Sequence, residues 1–407
     1  MSWKIEHPCP QCGAPVEMEE TDRILKCEFC RTRLYICPKD SFQFFLAPPQ
    51  PRTELFFLPY WRFKGMAFSC DELQVSGKIA DSNILAMKMA ELPLSLGVRP
   101  QVLKLRYVVP DVPGRFLKPQ LPFRTTSGCG GSSNGPGHVA DMFIGEIKSL
   151  IYSPVYVAGG WLYDAILDRK ICQAQEQALA GPDGENTLQP EDQIFFLPTL
   201  CPQCGFDLDG EKDSLVLLCP NCSTAWQARN FAFESVPFAF IAPSGGDKPD
   251  VYLPFWRIAA DVSGLQIKSY ADLVRLANLP RVVLSEWEKE AAHFAVPAFK
   301  IYPGLFLRLA KTMTFLQKEV EDRAEVHKTN LYPVTLPLND ALEALRVFIA
   351  SIARPQKNVI PHLNAMSFSL TDFRLVFVPF TLRGEELIQN QIGISIEKAA
   401  LSWGKLL

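Results

Sequence analysis

The sequence predicts an α+β fold written twice in tandem, and three observations carry that prediction. Two cysteine quartets share one spacing, each is followed by a Leu-Pro-aromatic-Trp-Arg stretch, and further landmarks recur in the same order down both halves. Each half therefore reads as a small metal-binding module followed by a strand-rich α+β domain. The 407 residues leave room for two or three ordinary domains, and 33 prolines favour strands and turns over long helices.

The metal modules come first in each half. Cys9, Cys12, Cys27 and Cys30 form one quartet, and Cys201, Cys204, Cys219 and Cys222 the other, both spaced C-x2-C-x14-C-x2-C. Tight thiol pairs in a reducing compartment are metal ligands more often than disulfides. Four thiolates suit tetrahedral zinc, so two zinc ions per chain are expected. Gly13 and Gly205 follow the second cysteine, where a tight turn wants a positive φ, and Pro10, Pro202 and Pro220 pre-set the turns. Cys37, Cys70, Cys129 and Cys172 share no spacing and read as ordinary thiols.

After each module runs an aromatic segment ending in Ala-Pro, Phe42–Pro48 and Phe238–Pro243. Then come "LPYWR" (Leu58–Arg62) and "LPFWR" (Leu253–Arg257). Strand alternation puts Trp61 with Phe63 on one face and Tyr60 with Arg62 on the other. Because Pro59 and Pro254 cannot donate to a ladder, these strands are expected to begin at the proline or to lie at an edge. Val75–Gly77 and Val262–Gly264 both spell "VSG", and Pro113–Lys118 echoes Pro303–Arg308. Tyr152–Ile171 aligns with Phe377–Ile396, keeping Pro154 with Pro379 and Gly159 with Gly384.

In that last pair, Ile388, Ile392, Ile394 and Ile396 alternate with polar residues as in a half-buried strand. Trp161, Tyr163, Ala165, Leu167 and Ile171 do so with Asp164 and Asp168 opposite, which reads as exposed strand charge. Helices are expected at Ser82–Leu92, Ser269–Leu279, Ser285–Phe294, Leu305–Lys328 and Asn339–Ala353, with Ser82, Ser269, Ser285 and Asn339 as N-caps. The Gly/Ser-rich stretch Thr125–His138 lacks the Lys-Ser/Thr of a phosphate-binding loop. Gln173–Gln193 has five acidic residues and no basic one, the composition of a solvated linker. The expected divisions are 1–40 for the first module, 41–172 for its domain, 173–193 for the linker, 194–230 for the second module and 231–407 for its domain.

Each quartet resembles the zinc-ribbon class, over Cys9–Cys30 and Cys201–Cys222. The larger pattern of ribbon plus Leu-Pro-x-Trp strands resembles a group of uncharacterised bacterial zinc-ribbon proteins. The resemblance implies two knuckles sharing one ion and carries no activity with it. The second knuckles end Cys-Arg and Cys-Ser instead of the commoner Cys-Gly, and the x14 gap is slightly short for the class.

A four-thiolate zinc has no open coordination position, so the expected role is structural and the protein is expected not to be an enzyme. His7, His138, His293, His327 and His362 are scattered, and His7 reads as a surface histidine. Zinc ribbons often touch nucleic acid, but Met1–Asp40 has six basic and seven acidic residues, and Thr199–Asn230 two and four. One segment, Arg99–Arg124, is basic and interleaved with Tyr107, Phe116 and Phe123. The leading expectation is a cytoplasmic, non-catalytic adaptor or scaffold that binds protein partners, without a membrane span. Nucleic-acid binding is the alternative, and a rubredoxin-like iron electron carrier the third reading.

Overall fold

The computed structural model describes residues 3–50, 52, 54–71, 74–97, 102–123, 138–174, 179, 187–188, 194–243, 248–316 and 330–404. The first module carries β1 (Lys4–Pro8) and β2 (Pro15–Glu19) around one knuckle, then β3 (Ile24–Lys26) and β4 (Arg33–Pro38) around the other. The first domain adds β5 (Gln43–Leu46), β6 (Phe56–Asp71), β7 (Gln74–Leu85), β8 (Leu105–Tyr107), β9 (Arg115–Leu117), β10 (His138–Ala158), β11 (Trp161–Asp164) and β12 (Arg169–Gln173). With β13 (Thr187–Leu188) these build an 11-stranded sheet of order β13-β9-β6-β10-β5-β8-β1-β2, with β7 on β6 and the β11–β12 hairpin on β10.

β14 (Ile194–Pro198) then turns back and pairs antiparallel with β4, placing Leu197 opposite Tyr35. The second module is a three-stranded sheet, β15 (Val216–Cys219), β16 (Thr224–Arg229) and β17 (Ala232–Val236). A six-stranded sheet follows, of β18 (Phe238–Phe240), β19 (Val251–Val262), β20 (Phe294–Pro297), β21 (Phe368–Arg383), β22 (Glu386–Gln389) and β23 (Ile394–Glu397). Among the described residues four helices join it: α1 (Tyr270–Leu276), α2 (Pro303–Leu316), α3 (Leu338–Ile352) and α4 (Lys398–Gly404). The protein is strand-rich and α+β. No helix among the described residues is long and apolar enough to cross a membrane.

The centres of the two sheets share one register. β6 and β10 set Pro59 opposite Tyr152 and Phe57 opposite Pro154; β19 and β21 set Pro254 opposite Phe377 and Tyr252 opposite Pro379. β5 joins β10 in parallel with Phe45 against Tyr152, and β18 joins β21 in parallel with Phe240 against Phe377.

Neither proline starts its strand or lies at an edge, contrary to expectation. On the side away from β10, the neighbour of β6 changes from β9, paired at Phe56 and Phe57, to β7, paired from Tyr60 onward. Pro59 falls in that gap, so its missing N–H costs no ladder bond. Its carbonyl accepts from Ala86 N at 2.9 Å, and the Ala86 carbonyl accepts from Gln120 N and Leu121 N. Trp61 Nε1 closes the circuit by donating to the Leu121 carbonyl at 2.7 Å. In the second half Pro254 accepts from Ala298 N at 2.9 Å, Ala298 accepts from Thr335 N and Leu336 N, and Trp256 Nε1 donates to Leu336 at 2.9 Å.

Several other expectations fail for physical reasons. Ser82–Leu92 is not a helix, because residues 82–85 pair with β6 and turns follow; sheet pairing overrides propensity. Ser285–Phe294 forms turns leading into β20, where Phe294 pairs with Ile258 of β19, so sheet pairing again overrides a helical spacing. Ser269 does cap α1, in a reciprocal box with Asp272. α3 starts one residue before Asn339 with Pro337 as its cap residue, and α2 bears out the expected helix over 305–316, the remainder of which lies outside the described residues. The echo Pro113–Lys118 and Pro303–Arg308 folds as strand β9 in one half and as the start of α2 in the other. The Ile388–Ile396 alternation is broken by a turn: Leu387 and Gln389 are buried, and Ile388 faces the other way.

One face of β6 links the modules. Phe56, Leu58 and Tyr60 pack in the core that holds Cys9 and Cys27, while Met66, Phe68 and Cys70 pack in the core of the second half. Between them, Arg62 and Lys64 form a buried ionic layer. Arg62 is fully buried, donates to Glu20 Oε1 at 3.0 Å and to Asp81, and lies 3.7 Å from the Trp3 ring centre. Lys64 Nζ sits 3.7 Å from the same Glu20 carboxylate, and burial lowers its pKa. α2 and α3 close over this side of the first sheet. A Cβ on Gly77 would meet Pro303 at 2.6 Å, and Asp340 of α3 accepts from Gly145 N at 2.9 Å and from Lys148 at 3.2 Å.

Candidate metal centres

Each knuckle is a turn closed by backbone bonds. Gly13 N donates to Cys9 O at 2.8 Å, Arg31 N to Cys27 O at 2.9 Å, Gly205 N to Cys201 O at 2.8 Å and Ser223 N to Cys219 O at 3.0 Å. The residue after each pair sits at positive φ: 74° at Gly13, 60° at Arg31, 72° at Gly205 and 52° at Ser223. Arg31 and Ser223, the departures from the commoner Cys-Gly ending, thus occupy a conformation that favours glycine.

The turns bring each sulfur quartet together, with all four ligand atoms within 4.8 Å of one another. The closest pairs are Cys12–Cys27 at 3.6 Å and Cys9–Cys30 at 3.7 Å in the first centre, Cys204–Cys219 at 3.4 Å and Cys201–Cys222 at 3.5 Å in the second. A disulfide needs about 2.05 Å, whereas sulfurs around a tetrahedral ion with bonds of about 2.3 Å stand roughly 3.8 Å apart. The donor set therefore fits a four-coordinate metal. Cys9, Cys27, Cys201 and Cys219 are buried, with Cys12 and Cys204 on the solvent side.

Thr32 and Thr224 support the sulfurs, and the sequence reading missed them. Cys30 Sγ lies 3.3 Å from Thr32 Oγ1, which brings this thiol down to about 6. Cys222 Sγ lies 3.1 Å from Thr224 Oγ1, whose oxygen also accepts from Trp226 Nε1 at 2.8 Å. With one lone pair held by the indole, the Thr224 hydroxyl is aimed to donate to thiolate. The signal was present as threonine two residues after each last cysteine. Burial pushes Cys219 up to about 12, the direction expected where four sulfurs compete for negative charge. A divalent cation among them lets all four stay deprotonated.

The two centres are neighbours through protein. Arg23 N and Ile24 N donate to Lys212 O at 2.6 and 3.0 Å, and Ile24 and Tyr35 of the first module pack with Cys201, Leu208, Leu217 and Cys219.

Other singled-out residues lie elsewhere. His7 is wedged between Tyr107 and Phe196, with ring centroids at 5.4 Å from each, and is not the surface histidine expected. Asp164 is buried at the end of β11, accepting from Ile166 N and Leu167 N of the turn that follows, while Asp168 lies in that turn with φ 52° and binds Arg52 and Tyr156; the two do not share a strand face. Gln389 accepts from Gln391 N, and Gly393 has φ 67° at the matching places. In the basic segment, Tyr107 and Phe116 are buried, and Lys104 and Arg106 pair with Glu17 and Glu6. Cys129, His327, Arg99, Arg124, all of Thr125–His138 but His138 itself, and most of the acidic linker fall outside the described residues. No family model, no curated protein and no solved structure matches this chain.

Proposed function

We propose that the protein is a non-catalytic, cytoplasmic zinc-ribbon adaptor that presents one rigid surface to a protein partner in a larger assembly. The observation carrying this reading is the closed donor set. Four sulfurs within 4.8 Å saturate a tetrahedral zinc and leave no position for water or substrate, so the metal contributes folding energy to a short segment. We further infer that the halves are tandem copies of one ribbon-plus-sheet unit, supported by the common register of β6–β10 and β19–β21 and by the two Pro–Ala–Leu–Trp circuits.

The test is native purification with metal analysis. Two zinc ions per chain and a stoichiometric protein partner retained after nuclease treatment are expected. Iron in place of zinc, or bound nucleic acid released steeply by salt, overturns the reading.

A further inference from the structure

Phe57 of β6 and Tyr252 of β19 hold equivalent places, since they face Pro154 and Pro379, the matching prolines of β10 and β21. On its other side each has a parallel neighbour, Phe116 of β9 in one case and Leu331 in the other. Phe116 and Leu331 both come five residues before the leucine that accepts the tryptophan N–H, Leu121 and Leu336. The stretch 330–332 is therefore the counterpart of β9.

The two stretches differ at the outer edge. β13 covers β9 antiparallel, with Leu188 opposite Phe116 and Thr187 opposite Leu117. Among the described residues no strand covers 330–332. On the inner side the Asn330 carbonyl accepts from Tyr252 N, and Tyr332 N donates to the Tyr252 carbonyl, both at 2.9 Å. That alternation turns the N–H and the carbonyl of Leu331 outward, and neither is bonded among the described residues. Phe116 and Leu117 are buried, whereas Leu331 and Tyr332 are half-buried and Asn330 is exposed. An uncovered strand edge is a template for another strand.

A cavity of about 350 Å³ lies against this stretch, walled on the second module's side by Val216, Leu218 and Pro220. Its charged lining groups among the described residues are Asp209 and Glu211, with no cation. We propose that residues 330–332 accept an extended, basic segment of a protein partner, antiparallel as β13 is on β9. In this placement one partner residue exchanges backbone hydrogen bonds with Leu331, and a lysine or arginine lies by Asp209 and Glu211. The unbonded edge selects an extended chain, and the two carboxylates select its charge. This deepens the adaptor reading and rests on it.

The experiment uses full-length, metal-loaded protein and three fluorescein-labelled peptides: alternating valine and lysine, alternating valine and glutamate, and the first peptide N-methylated at its central valine. Anisotropy titration is expected to show the valine/lysine peptide binding roughly tenfold more tightly than either of the others. Hydrogen exchange is expected to slow at the Leu331 amide when that peptide is bound. Asp209→Asn with Glu211→Gln is expected to abolish the preference for lysine over glutamate. Leu331→Pro, which removes an N–H that makes no native bond, is expected to weaken binding by a similar factor while metal content is unchanged. Equal binding of the N-methylated peptide, or an unprotected Leu331 amide, overturns the proposal. So does self-association through 330–332, which would put a second copy on this edge. The adaptor reading fails separately: a partner that co-purifies equally with Leu331→Pro leaves it standing and removes this edge, whereas no partner with either protein removes the adaptor itself.

Discussion

Trp256 donates its indole N–H to the carbonyl of Leu336 at 2.9 Å, in a side chain with no solvent exposure. The bond ties the central strand of the second sheet to the turn that starts α3. Trp61 makes the same bond to Leu121 from a half-buried position.

Trp256→Phe strands a buried carbonyl and leaves a space. A loss of about 2–4 kcal/mol is expected from the unsatisfied acceptor and the cavity together. Trp61→Phe is expected to cost less, because water reaches that site. Urea unfolding of both variants checks the order, and a larger loss at Trp61 would contradict it.

Glu20 is the shared anion of Arg62 and Lys64. Glu20→Ala leaves two buried cations facing each other and is expected to cost about 3–5 kcal/mol. Replacing Glu20, Arg62 and Lys64 together by Leu, Met and Met removes the charges and is expected to restore most of that loss. A triple variant as weak as the single one would show that packing, not charge, holds this layer.

Thr224→Val removes the hydroxyl that faces Cys222 and the acceptor of Trp226. Metal affinity at the second centre is expected to fall about 10- to 100-fold, read by chelator competition, with Thr224→Ser close to the native value.

Arg31→Gly and Ser223→Gly relieve positive φ values of 60° and 52°. Each is expected to stabilise its knuckle by up to about 1 kcal/mol, seen as slower metal loss to a chelator.

His293 supplies a pH signature. Its Nδ1 donates to Ala291 O at 3.0 Å, and burial, with Arg257 beside it, lowers its pKa below 6.5. The unfolded chain therefore takes up this proton first as the pH falls through 6.5. Stability is expected to drop from there down to the depressed folded pKa and to change no further below it. His293→Gln should remove that part of the slope in urea unfolding between pH 7.5 and 5, and an unchanged slope would contradict the assignment.

What could be read beforehand depended on how local the cause was. Cysteine spacing and the glycines at Gly13, Gly159, Gly205 and Gly384 encode turns within a few residues, and all four sit at positive φ where a turn needs them. Pro59 misled, because whether a strand tolerates proline depends on where its neighbours change, a fact of tertiary pairing. Near-identical strings such as Pro113–Lys118 and Pro303–Arg308 took different structures, since one was recruited by the edge of β6 and the other covers Gly77. Thr32 and Thr224 were visible as a repeated spacing, yet a hydroxyl beside a sulfur acquires meaning only once the knuckles have closed.

The pairing of β14 with β4 has a consequence for the integrity of the polypeptide. Residues that follow the acidic connection complete a sheet begun by residues near the start of the chain, and α3 grips the first sheet through Asp340. A protease cutting between residues 181 and 186 would sever the backbone without freeing either piece, and the nicked molecule should migrate on a sizing column as the intact one does.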